Sequence, residues 1–165
     1  MKSLQEIQAI RDAMHPELEL RNVGSKEAKS KYERQVLICG GTGCTSSGSP
    51  EIERVLREEI EKAGLTDKIQ VVKTGCFGLC ALGPIMIVYP SGAFYSRISA
   101  DNIPQIVKEL LYDETVDGDK IKGLNETSFY KKQHRVALRN CGAINPENID
   151  EYIGKDGYQA LSKVL

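Results

Sequence analysis

Two closely spaced pairs of cysteines constrain the fold of this 165-residue chain more than any other feature. Cys39 and Cys44 have the spacing C-x4-C, and Cys76 and Cys80 have the spacing C-x3-C. Thiolates select zinc, copper(I) or iron–sulfur clusters, and four of them complete a tetrahedral zinc site or a small cluster. The fold is therefore expected to bring two distant loops together around a metal centre.

The composition is that of a folded globular protein, with 41% hydrophobic and 27% charged residues. A net charge of -1 predicts no strongly basic face and no nucleic-acid partner. The apolar runs are too short to cross a bilayer, and the start has no apolar signal stretch. We therefore expect a cytoplasmic protein without direct membrane insertion. In that reducing compartment, paired cysteines bind metals more often than they form disulfides.

Hydrophobic periodicity and turn residues predict the secondary structure. A helix is expected over residues 3–14, begun by a capping box of Ser3 and Glu6, and a solvated connection that can keep some helix over residues 16–34. Two amphipathic helices are expected later, one capped by Ser49 and ended by Gly64, the other beginning at Ile103. The predicted strands cover residues 35–39, 69–72, 85–89 and 93–98.

The order of these elements predicts the fold. Two strands joined by a helix lie parallel, and the following hairpin completes the sheet in antiparallel orientation. The result is an α/β protein, a thioredoxin-like sandwich with a mixed four-stranded sheet, plus a helical N-terminal extension and a C-terminal tail. Both cysteine pairs then lie at strand ends, the first in a loop over residues 40–49. We expect hydroxyls of this loop, such as those of Thr45 and Ser46, to donate to sulfur, and the bond before Pro84 to be cis.

Spacing alone leaves zinc and an iron–sulfur cluster equally open. A redox dithiol is disfavoured, because neither pair has the C-x-x-C spacing. Cys141 stands alone and is interpreted as a small buried apolar residue rather than a ligand. Three apolar residues near the site are interpreted as ordinary core side chains, with shielding of the site from water or contact with a partner as the alternative, namely Phe77, Leu79 and Leu82.

Spacing and predicted fold together resemble the thioredoxin-like 2Fe-2S ferredoxins over residues 34–112. This resemblance implies one-electron transfer through a 2Fe-2S cluster, whose metal ligands would be Cys39, Cys44, Cys76 and Cys80. Residues 129–142 and 145–153 are similar to the beginning of the flavin-binding subunit of NADH-quinone oxidoreductases. Within that family, the sequence is most similar to the NAD(P)H-oxidising beta subunits of multimeric iron-only hydrogenases.

The resemblance also implies a division of the chain into three parts. Residues 1–33 would be a helical extension and linker, residues 34–112 the 2Fe-2S domain, and residues 113–165 a linker and the start of a flavin-binding domain. FMN and NAD(P) would bind only to a longer parent enzyme, so no catalysis is expected from this chain alone. Its partners would be other subunits of an oxidoreductase or hydrogenase. The alternative is a zinc-stabilised docking module without redox activity.

Overall fold

A computed structural model describes residues 3–25, 29–112, 130 and 132–164. Its helices and strands, in chain order, are α1 (Leu4–Glu19), β1 (Arg34–Cys39), α2 (Thr42–Ser46), α3 (Ser49–Lys62), β2 (Ile69–Thr74), β3 (Ile85–Tyr89), β4 (Ala93–Ser96), α4 (Ile103–Tyr112), α5 (Ile149–Gly154) and α6 (Gln159–Ser162). None of the helices in these ranges is long and apolar enough to cross a membrane. The predicted linker after residue 112 falls largely on residues outside these ranges.

The sheet has the strand order β2-β1-β3-β4. Strands β1 and β2 are parallel, whereas β3 is antiparallel to both β1 and β4. The crossover through α3 explains the parallel pair, and the turn at Pro90, Ser91 and Gly92 explains the antiparallel hairpin. Gly92 has a φ of +74° in this turn, which favours glycine. The predicted mixed four-stranded sheet is confirmed.

Apolar side chains cover both faces of the sheet. Along β1 the side chains alternate, so Val36 and Ile38 point to the core formed with α3 and α4, and Leu37 and Cys39 point to a second cluster. All four are at most 1% exposed. Because Cys39 belongs to the second cluster, the metal-site candidates lie on the sheet face opposite α3 and α4.

The N-terminal helix is longer than the sequence predicts. Ser3 and Glu6 form the expected capping box, but α1 continues past Pro16 to Glu19. The prediction of a solvated connection from residue 16 is wrong for Leu18 and Leu20, which are 3% and 4% exposed. Helix α1 packs against α5. The apolar surface buried in this contact offsets the stability that is lost because Pro16 has no N–H to donate within the helix.

Glycines begin and end helix α3. The predicted cap at Ser49 is wrong, because Gly48 holds the N-cap position with φ +94° and no side chain caps the helix. A left-handed residue at this position favours glycine, and Ser49 becomes the first, buried residue of the helix. Gly64 follows the last turn with φ +67°, as predicted. The predicted cis bond before Pro84 is confirmed, and the bond before Pro90 is also cis.

A buried ion pair joins the two ends of the chain to the sheet. The Arg21 guanidinium donates to both carboxylate oxygens of Glu151, at 2.6 and 2.9 Å, and to the Gln35 side chain at 2.6 Å. It also donates to the carbonyl of Ala143, and Glu151 accepts from the backbone N–H of Asn145. The side chains of Arg21 and Glu151 are each 4% exposed. This network fastens α5 and the end of α1 to the first residues of β1.

Candidate metal centre

The four predicted ligands lie on two facing loops beyond the ends of β1 and β2. Cys39 is the last residue of β1, and Cys44 lies in α2 five residues later. Cys76 follows β2 by two residues, and Cys80 begins a short 3-10 turn. Because parallel strands end at the same edge of a sheet, the first and second pairs are brought to one place.

The loop between the first two cysteines contains a helical turn that the sequence does not predict. Residues 42–46 are helical, and the Thr45 N–H donates to the Gly41 carbonyl at 2.9 Å. The hydroxyls of Thr45 and Ser46 donate to backbone carbonyls. The prediction that these two hydroxyls donate to sulfur is therefore wrong. One helical turn folds Cys44 back toward Cys39, and this tertiary requirement overrides the weak helix propensity of glycine and threonine.

The two pairs differ in exposure. Cys39 and Cys44 are each 1% exposed and pack in the cluster that also contains Phe77, whereas Cys76 is half-buried and Cys80 is exposed. The interpretation of Phe77 as a core side chain is confirmed, and Leu79 and Leu82 are partly buried against the same cluster. The second pair therefore forms the solvent-facing side of the site.

The thiols within each pair interact directly. Sulfur atoms of Cys76 and Cys80 are 3.6 Å apart, and the Cys39 thiol lies close enough to influence Cys44. Burial is the main cause that raises the pKa of Cys44 to about 12, and the neighbouring Cys39 contributes in the same direction. The hydrogen bond with Cys76 raises the pKa of Cys80, and charge repulsion between these thiols acts in the same direction. Such thiols ionise readily only when a cation compensates their charge, which is the situation of metal ligands.

Glycines allow the two loops to approach closely. A Cβ atom on Gly41 would lie 2.8 Å from the Cβ of Cys76, and one on Gly83 would lie 2.8 Å from the sulfur of Cys44. Both distances are shorter than a normal van der Waals contact. A Cβ atom on Gly43 would make an ordinary contact with the Cys80 sulfur, at 3.6 Å. The close approaches therefore require glycine at positions 41 and 83.

We expect Gly83→Ala to reduce the metal content of the purified chain several-fold, because the new methyl group displaces the Cys44 sulfur. Gly75→Ala is the matched control, since a Cβ atom on Gly75 has no neighbour within 4 Å. Metal analysis of the two variants, purified in parallel without oxygen, measures the effect. Equal metal content in Gly83→Ala and the wild type would show that the Cys44 sulfur is not required in its observed position.

A backbone amide donates to one of the sulfur atoms. The Gly78 N–H donates to the Cys76 sulfur at 3.3 Å, and the backbone of Ile85 acts to lower the pKa of Cys44. Gly78 has a φ of +85°, a conformation that favours glycine. Residues 40–50 and 74–96 contain no charged side chain. The loops thus offer hydrogen bonds to a negative group and no fixed charge of their own.

Tyr130 and Gly142 lie against the second loop, and the sequence gives little indication of this contact. The Tyr130 hydroxyl donates to the Phe77 carbonyl, and Gly142 lies directly against the Phe77 ring. Cys141 is half-buried rather than buried, and with Phe77 and Tyr130 it lines a cavity of about 260 Å3. Aromatic and basic side chains with no periodic pattern carry no recognisable signal, so Tyr130 and Arg135 were not among the predicted site residues.

The separation of the sulfur atoms within one pair suits a shared metal. Two thiolates on one tetrahedral metal, at about 2.3 Å from it, lie about 3.8 Å apart, close to the separation within the Cys76 and Cys80 pair. A two-iron cluster, in which each iron takes two cysteines, accommodates two such pairs.

The mixed sheet, the flanking helices and the paired cysteines define an α/β protein of the thioredoxin-like class with two cysteine-bearing loops. The family model of the thioredoxin-like [2Fe-2S] ferredoxins matches residues 25–111. The chain belongs to this family, and the predicted thioredoxin-like fold class is confirmed.

Known relatives of the chain include proteins named as ferredoxins. A putative 2Fe-2S ferredoxin from Priestia megaterium is 30% identical over 124 residues, which cover 75% of this chain and 87% of that protein. A 2Fe-2S ferredoxin from Clostridium pasteurianum is 42% identical over 65 residues, which cover 39% of this chain. The match spans 64% of the Clostridium protein, less than two thirds of its length.

One relative is a subunit of a larger enzyme. The NADP-reducing hydrogenase subunit HndC from Solidesulfovibrio fructosivorans is 59% identical over 39 residues. These residues make up 24% of this chain and 8% of the hydrogenase subunit. The similarity to the hydrogenase subunit is thus high over a short segment.

Proposed function

We propose that the chain transfers single electrons through a 2Fe-2S cluster held by Cys39, Cys44, Cys76 and Cys80. The observation that carries this proposal is the arrangement of the thiols in two pairs on facing loops, with the sulfurs of Cys76 and Cys80 3.6 Å apart. Membership of the 2Fe-2S ferredoxin family supports the same cofactor. A bound cluster supplies reversible one-electron oxidation and reduction, with no bond made or broken in a substrate.

The residues of the chain hold and shield such a group in an asymmetric way. Cys39 and Cys44 are buried among apolar side chains, so water is excluded from the first pair. The Gly78 N–H offers a hydrogen bond to the negative Cys76 sulfur. Cys80 is exposed, and electrons are therefore expected to enter and leave on the side of the second pair.

The surroundings in which the chain works are a further part of the proposal. We infer that residues 34–112 are the electron-carrying domain, that residues 1–33 extend it, and that residues 113–165 lead into a flavin-binding domain. The partners would be other subunits of a cytoplasmic oxidoreductase or hydrogenase, with FMN and NAD(P) bound by the longer parent enzyme. The match to a hydrogenase subunit supports this context.

Anaerobic spectroscopy with metal analysis tests the cofactor. We expect two irons per chain, visible absorption that bleaches with dithionite, and a spin-half electron paramagnetic resonance signal after reduction. A colourless chain with one zinc and no iron would contradict the proposal, and would favour the alternative of a zinc-stabilised docking module.

A further inference from the structure

A chain of hydrogen bonds connects a cation outside the two cysteine loops to one of the cysteine sulfurs. The Arg135 guanidinium donates to the Tyr130 hydroxyl at 3.2 Å, and this hydroxyl donates to the carbonyl of Phe77. The same peptide group continues into the N–H of Gly78, which donates to the Cys76 sulfur at 3.3 Å. One peptide unit thus accepts a hydrogen bond at its oxygen and donates one at its nitrogen.

Hydrogen bonds in such a series polarise one another. A donor at the Phe77 carbonyl withdraws electrons from the peptide group, and the Gly78 N–H becomes a stronger donor to sulfur. The positive charge of Arg135 acts in the same direction, because it makes the Tyr130 hydroxyl a stronger donor. The guanidinium carbon also lies 4.9 Å from the centre of the Tyr130 ring, so two contacts hold Arg135 in place.

Arg135 is a positive charge next to loops that contain no charged side chain. Neither cysteine loop contains a charged side chain, so Arg135 supplies a charge that residues 40–50 and 74–96 lack. Arg135 also donates to the carbonyl of Cys141 at 3.2 Å, and Gly142 packs on the Phe77 ring. The first contact holds Arg135 against Cys141, and the second holds Gly142 against the loop that carries Cys76.

We propose that Tyr130 and Arg135 are positioning residues that raise the reduction potential of the bound cluster through the Phe77–Gly78 peptide and the Cys76 sulfur. Reduction adds negative charge beside Cys76, and a stronger N–H donor stabilises the reduced state more than the oxidised state. The proposal rests on the proposed function, because Cys76 must be a cluster ligand. It places control of the potential in residues beyond the segment matched by the ferredoxin family model.

Potentiometric titration of the full chain with its cluster, followed by electron paramagnetic resonance, tests this inference. In Tyr130→Phe the ring remains and the hydroxyl is lost. At the wild-type midpoint potential we expect its ratio of reduced to oxidised cluster to fall roughly threefold. At about 59 mV per tenfold change for one electron, this is a shift of about 30 mV to lower potential. Tyr158→Phe is the matched control and is expected to keep the wild-type potential, since Tyr158 is an exposed residue before α6.

Arg135→Gln provides a second test, because it leaves the Tyr130 hydroxyl in place. We expect a shift in the same direction, and a double variant whose shift is smaller than the sum of the two single shifts. A wild-type potential in both Tyr130→Phe and Arg135→Gln, with the cluster retained, would overturn this inference and leave the proposed function intact. A wild-type chain without a two-iron cluster would instead overturn the proposed function, and this inference with it.

Discussion

Replacing Cys39 with alanine is expected to lower the iron content from two atoms to well below one per chain. Cys39 is 1% exposed, and its backbone is fixed by the parallel pairing of β1 with β2, in which it lies opposite Thr74. The Gly40 N–H also donates to the Thr74 carbonyl at 2.9 Å. Neither water nor another side chain can easily replace the lost sulfur, because the backbone cannot shift without breaking these bonds.

Metal analysis and visible absorption measure this effect, and Cys141→Ala is the matched control. Cys141 is the fifth thiol and is also partly buried, but it lines the cavity beside Phe77 and Tyr89 and is outside the proposed ligand set. We expect Cys141→Ala to keep two irons. An unchanged cluster in Cys39→Ala would remove Cys39 from the ligand set, and loss of iron in Cys141→Ala would place a fifth cysteine at the site.

The comparison of sequence and structure shows which interactions local patterns reveal. Strand β3 and helix α4 were predicted at nearly their observed positions, because β3 is a continuous apolar run bounded by turn residues and the apolar residues of α4 repeat with the period of a helix. The cysteine spacings likewise predicted which residues would form pairs. The geometry supports this pairing, and the assignment of the four thiols as ligands stays a prediction until metal is measured.

Local patterns fail where distant parts of the chain decide the conformation. Helix α2 forms because Cys44 must return to Cys39, and its glycine and threonine residues give no helical signal. The solvated connection predicted from residue 16 overlooked Leu18, whose partner is Gly154 at the other end of the chain. Tyr130 illustrates the same limitation, since its hydroxyl bonds to Phe77, 53 positions away. Contacts over such separations are not encoded in spacing or periodicity.

The buried ion pair between Arg21 and Glu151 is expected to contribute strongly to the stability of the fold. Replacing Arg21 with methionine should lower the free energy of unfolding by about 3–5 kcal/mol, since the Glu151 carboxylate would remain buried without its partner. This is a large part of the about 5–15 kcal/mol that stabilises a typical domain. Urea denaturation at equal iron content, followed by circular dichroism, measures the change.

A double variant separates the ion pair from the rest of the network. Arg21→Met combined with Glu151→Leu leaves no buried charge, so we expect it to regain more than half of the lost stability. Full recovery is not expected, because the Ala143 carbonyl and the Asn145 N–H also lose their partners.

A surface ion pair provides the control for charge removal as such. Arg54 contacts Glu51 at 2.6 Å with both side chains more than half exposed, and Arg54→Met should leave the denaturation midpoint nearly unchanged. An Arg21→Met variant that resembles this control would show that the buried network adds little to stability. A double variant as unstable as Arg21→Met would show instead that the bonds to the backbone, rather than the buried charge, dominate. In the first case the attachment of residues 143–151 would depend on apolar packing, chiefly that of α1 against α5.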